Sequence, residues 1–229
     1  MMYSLSADDR PVSRFDPLFQ WGLPLSVLLA MAGYFGAWIP HRAAGRVILG
    51  VDLAEYVKFL GEVRAGQIAI WREGFILPAA AIAVSLALLA VNRRMGVRWY
   101  LALPLFLASL YSALSILPPA WTPQLLLTPE FRAQTIILAG CLGILLVSPL
   151  LRSLPALVMG LLLIALQVAA AAGAIYQFLI VKPAIDRVYG APPPIGWGLY
   201  LYAAGVALFV LLCVAALSRR TPAEPLSFK

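Results

Sequence analysis

Ionisable residues vanish from this chain over long stretches and return in short clusters, six times in succession. Between Asp16 and His41 lie 24 residues without an acidic, basic or histidine side chain. Further charge-free windows run from Gly74 to Asn92, Trp99 to Pro129, Ala133 to Leu151, Ser153 to Val181 and Val188 to Ser218. Each can supply the roughly 20 residues that a helix, rising about 1.5 Å per residue, needs to cross about 30 Å of hydrocarbon. An open chain satisfies its backbone amides in lipid only as helix. The pattern predicts an all-α, polytopic membrane helix bundle with six transmembrane helices, at 22–40, 75–92, 99–117, 133–151, 155–180 and 197–217. The chain reads as one membrane domain over 1–229, with an N-terminal segment 1–21, a long loop 41–73 and a tail 219–229.

Composition excludes the competing reading of a soluble protein with a large core. The chain is 62% hydrophobic and 12% charged, against roughly 45–50% apolar and 25% charged in soluble domains. Asp8, Asp9 and Asp16 make the N-terminal segment mixed in charge rather than basic, so the first helix is expected to be retained as a span rather than removed as a signal.

Orientation follows from the basic residues in the tight turns. With a cytoplasmic N-terminus the inner segments hold nine Lys and Arg and the outer ones eight, but five of those eight fall in the single loop 41–73. Arg93, Arg94 and Arg98 lie within six residues, and Arg219 and Arg220 directly follow a span. Both termini are therefore expected on the cytoplasmic side of the plasma membrane. The net charge of +7 is dispersed over both faces and is not a nucleic-acid surface. Arg93, Arg94 and Arg98 instead suit anionic lipid headgroups, worth about 1 kcal/mol each near such a surface.

Within the spans, Ala165, Ala169 and Gly173 form a thin stripe on the fifth helix, and Ala139 and Gly143 a shorter one on the fourth. Small residues let helices approach closely in lipid, and an antiparallel contact between these two helices is expected. Gln167, near mid-membrane, needs a partner across helices; Ser85, Ser109, Ser112 and Ser148 are candidates. No acidic, basic or histidine residue falls inside any expected span, which disfavours a proton-coupled carrier acting alone. Cys141 and Cys213 lie within spans, far from any CxxC spacing, and read as buried thiols.

The loop 41–73 carries the chemistry there is. Leu53, Tyr56, Val57, Leu60 and Val63 recur at helical spacing with Asp52, Glu55, Lys58 and Glu62 on other faces, predicting one extracytoplasmic amphipathic helix over 52–65. His41, Asp52, Glu55 and Glu62 are the candidates for acid–base or ligand chemistry. Lys58, three after Glu55 and four before Glu62, makes ordinary surface ion pairs the simpler account, and a metal site needs more ligands than this.

No residue pattern names a cofactor, and a pigment, haem or quinone held by apolar contacts leaves no motif. The expected role is a non-catalytic integral subunit or accessory component of a larger membrane complex, with lipids and other membrane subunits as partners. One alternative is a permease-type component driven by a separate ATPase, since the chain has no GxxxxGK[ST] loop of its own. The other is a membrane-embedded enzyme acting on a lipid or hydrophobic carrier at the outer face.

Overall fold

The computed structural model of the chain describes residues 17–92, 97–190 and 192–218. The fold is all-α, with a single two-stranded sheet among the described residues. Helix α1 (Pro17–Tyr34) is followed by β1 (Ala37–Ile39), which pairs antiparallel with β2 (Ile48–Leu49). The expected first span ran to residue 40, and the helix stops short of it. Its end is set by local bonding, because Gly36 N–H donates to Gly33 O at 3.1 Å and Trp38 Nε1 donates to the same carbonyl at 3.2 Å. These bonds take up a carbonyl that the next turn of helix would need.

The expected amphipathic helix over 52–65 is also interrupted. Short helix α2 (Leu53–Tyr56) runs into a 3₁₀ turn (Val57–Phe59), Leu60 is extended at φ −69°, ψ 129°, and α3 (Gly61–Arg64) follows. The break turns Leu60 inward beside Leu53, Ala54 and Val57, all four buried. One straight helix would have had to give up that burial, and Gly61 is a poor residue with which to continue it.

A 3₁₀ turn (Arg72–Phe75) leads into α4 (Leu77–Val91), the axis of the bundle, buried without interruption from Pro78 to Leu89. A helix apolar on every face belongs in such a place. Around it stand α1, α5 (Ala102–Leu114), α7 (Arg132–Val147, continued as 3₁₀ turns to Ser153) and α8 (Ala156–Tyr189). Short helix α6 (Pro123–Leu126) lies between α5 and α7, and α9 (Trp197–Ser218) packs on α1 and α8. Polar ties converge on α4: Ser109 and Ser112 donate to the Ala83 and Ala79 carbonyls at 2.7 and 2.9 Å, and Gln167 Nε2 donates to Ser85 Oγ at 3.0 Å.

Three helical stretches, Arg132–Ser153, Ala156–Tyr189 and Trp197–Ser218, are long and apolar enough to cross a membrane, which marks a membrane protein. That is fewer than the six expected: Leu77–Val91 and Trp99–Leu114 are apolar but shorter, and α1, 18 residues long with Gln20 and Pro24 inside it, is not among the three. The expected contact between the α7 and α8 stripes is not among the main ones: α8 packs chiefly on α4 and α9, and α7 on α4 and α5. Ala139, Gly143, Ala165 and Ala169 are exposed, and only Gly173 of the set is partly covered, near Leu77 and Trp71. The physical reason is competition for the same face. The buried side of α8 is taken by Met159, Leu163, Gln167, Ala170, Ala174 and Phe178, so the Ala165–Ala169 edge turns away from α4.

Candidate functional site

Two ends of the bundle differ in chemistry. At one end, Arg98 Nε donates to Gln20 Oε1 at 2.8 Å, and Asn92 Nδ2 reaches the Leu151 and Leu154 carbonyls. Arg98 and Arg152 line a cavity there of about 530 Å³ with Gln20, Asn92 and Trp99. Arg93 and Arg94 lie outside the described residues.

The other end carries a cap built from the segment 37–75 and held to the helix ends by charge. Lys58 Nζ contacts Glu55 Oε2 at 2.5 Å and Glu130 Oε1 at 2.9 Å. Arg72 donates to the Glu130 carbonyl at 2.7 Å and stands 3.5 Å from its carboxylate and 3.7 Å from that of Glu73. Both cations sit over the Phe131 ring, at 4.8 and 5.4 Å from its centroid. A second tie joins Arg187 Nε, near the end of α8, to Glu62 Oε1 at 2.7 Å.

The four sequence candidates separate in this cap. His41 accepts the Ala43 N–H on Nδ1 at 3.0 Å and sets its ring against Tyr189 at 5.6 Å. Glu62 is engaged by Arg187. Asp52 and Glu55 come together on the wall of one cavity of about 150 Å³, closed on its other sides by Tyr34, Ile76, the turn Ser115–Pro119, and Gln134 from α7. Gln134, only 4% exposed, donates Nε2 to the Ile116 carbonyl, which leaves Oε1 buried without a partner. Glu55 Oε1 is likewise buried and unpartnered. Sequence reasoning did not single out Gln134, although a carboxamide two residues after Arg132, at the mouth of an apolar run, was a usable signal.

Desolvation raises the Asp52 carboxyl above its usual range, against an opposing backbone hydrogen bond from Leu49. The Lys58 hydrogen bond, with Arg72 adding to it, holds Glu130 below its ordinary value. A lowered acid contributes stability that is complete above its unfolded value and is lost as pH falls through the folded one. Asp52 has the opposite sign, since its protonated form favours the fold and that preference fades as pH rises through its raised value. Exposed pairs contribute about 0–1 kcal/mol each. Glu130→Gln is therefore expected to loosen the cap by about 1 kcal/mol without changing the helical content, and to flatten the acid limb below the ordinary value of 4.5. Amide exchange across 53–75 as a function of pH measures this; identical protection in variant and wild type below and above that value counts against the ionic tie.

Among the described residues no group of three or more His, Cys, Asp or Glu could hold a metal ion. No protein-family model matches this chain, and comparisons with curated proteins and with solved structures find no similar protein.

Proposed function

We propose that the chain is a six-span plasma-membrane protein with both termini cytoplasmic, and that it serves as a non-catalytic subunit of a larger membrane complex. The observation that carries the reading is that the small-residue edges of α7 and α8 face outward, with none of the described helices of this chain packed on them. Ala139, Gly140 and Gly143 on α7, and Ala165 and Ala169 on α8, are exposed, and a Cβ added at Gly140 or Gly143 meets nothing within 4 Å. In lipid, where the hydrophobic effect does not drive helices together, thin edges are where a further helix packs most closely. Helix α4 is short for a span at 15 residues, about 22 Å at 1.5 Å per residue. It is, however, enclosed by its neighbours, and the buried Gly74, Phe75 and Ile76 before it extend the apolar path by three residues. Arg98 and Arg152 at the end opposite the cap support a cytoplasmic assignment for that end and a lipid-headgroup role for Arg98 with Arg93 and Arg94.

The test is native mass after mild detergent extraction of the full-length chain and of a Gly143→Leu/Ala165→Leu double variant. The wild type is expected to migrate with other membrane subunits, and the variant to fall to the mass of the 24.7 kDa chain with an unchanged melting temperature. A wild type that is solitary, or assembled only from its own copies, overturns the subunit reading.

A further inference from the structure

The 150 Å³ cavity between the cap and the helix ends is chemically one-sided. Three of the donors on its wall are engaged inside the protein. Tyr34 Oη donates to the Phe75 carbonyl at 3.0 Å, Ser115 Oγ to the Ser112 carbonyl at 2.7 Å, and Gln134 Nε2 to Ile116 O. Two acceptors remain without partners, Glu55 Oε1 and Gln134 Oε1, both buried. Buried polar atoms left unmatched are costly and uncommon in folded proteins, and here both belong to residues that line one cavity, which calls for a group that donates.

Charge points the same way. The network beside the cavity sets three carboxylates, Glu55, Glu73 and Glu130, against two cations, Lys58 and Arg72, and Asp52 on the cavity wall adds a further acid. The remaining lining, Val51, Ala54, Ile76, Leu117, Pro118 and Pro119, is apolar and suits methylenes rather than a hydrated ion. A hard divalent cation takes six or more oxygens, more than the free acceptors here supply. In size the cavity equals about five water molecules at roughly 30 Å³ each.

We propose that this cavity binds a primary ammonium group on a short apolar stem, with the ammonium donating to Glu55 Oε1 and Gln134 Oε1 and the stem lying on the Val51 and Ile76 side. The same chemistry is offered by a free small amine and by the ethanolamine headgroup of a lipid. The inference does not depend on the subunit reading.

Ethylammonium chloride titrated by calorimetry into the full-length protein in detergent tests the first source. Native mass spectrometry from nanodiscs of mixed phosphatidylethanolamine and phosphatidylglycerol tests the second. Saturable ethylammonium binding, tighter than that of potassium and weakened about tenfold or more in Glu55→Gln, supports the free amine. Selective retention of phosphatidylethanolamine, lost in Glu55→Gln, supports the headgroup. Val51→Trp, which fills the cavity while leaving its acceptors in place, is expected to abolish either signal and serves if Glu55→Gln does not fold. The proposal is overturned if neither ligand is bound selectively, or if binding survives unchanged in whichever of the two variants folds.

Discussion

Gly33→Ala is expected to separate the first helix from the last and to unfold the bundle at temperatures where the wild type is intact. A Cβ at Gly33 would lie 2.1 Å from Tyr202 N, 2.6 Å from its Cα and 2.7 Å from the Gly198 carbonyl. These are backbone atoms, so no rotamer change relieves the overlap. From the other side, a Cβ at Gly205 would stand 2.4 Å from Ala30 N. Helices α1 and α9 thus cross with backbones in contact, the geometry that small residues permit in lipid. Overpacking usually costs about 1–3 kcal/mol; with backbone on both sides, the upper end of that range or beyond is expected. Thermal unfolding in detergent measures it, with Gly143→Ala as the control. There a Cβ meets nothing within 4 Å, and alanine's better helix propensity, worth up to about 1 kcal/mol, predicts an unchanged or slightly higher midpoint. Equal melting of Gly33→Ala and wild type would falsify the crossing.

That crossing also marks the limit of what the sequence disclosed. Every long apolar window became a helix, because burial of an uncharged run in lipid leaves the backbone little choice, but the ends moved: α1 stops six residues before its expected end and α8 runs to Tyr189, nine beyond its own. Helix partners were another matter. The small-residue stripe expected to pack the fifth helix, Ala165 to Gly173, lies mostly on an outer edge, while the close contact uses Ala30 and Gly33 against Gly198 and Gly205, whose spacings on α9 are interrupted by the large Tyr202. A stripe gives a helix the capacity for close approach but does not say which neighbour takes it up; that depends on shape over the whole length of both helices.

The cap followed a similar rule. The apolar periodicity of Leu53 to Val63 correctly gave the buried side of the segment, since Leu53, Val57 and Leu60 are all buried. It missed the break at Leu60, which is imposed by docking onto the helix ends rather than by local propensity. Asp52 and Glu55, three residues apart, could be placed on one face from sequence. Gln134, 79 positions beyond Glu55, could not be joined to them, because nothing local links two residues that meet only through the tertiary fold.

Trp38→Ala is expected to release the cap from the bundle, with the second large loss of stability. Trp38 is fully buried where α1, α8 and α9 meet the cap. Its ring stands edge-on to Phe178 at 5.4 Å and tilted to Tyr202 at 5.8 Å, its Nε1 donates to Gly33 O, and its own carbonyl accepts from Gly196 N–H at 2.7 Å. Truncating a buried Trp costs about 3–5 kcal/mol, whereas Trp38→Phe keeps most of the apolar area and gives up chiefly the hydrogen bond, about 1 kcal/mol. At about 1.4 kcal/mol per factor of ten, Trp38→Ala should speed amide exchange in the cap by 100-fold or more, and Trp38→Phe by about tenfold or less. The pattern matters as much as the size. Because Trp38 ties the strand Ala37–Ile39 to α8 and α9, protection should fall first across 37–60 and persist in α4, which is enclosed by other helices. Uniform loss across both would mean that cap and bundle unfold as one unit. Unchanged exchange at 37–60 would mean that the ionic ties at Glu130 and Glu62, rather than the buried ring, hold the cap in place.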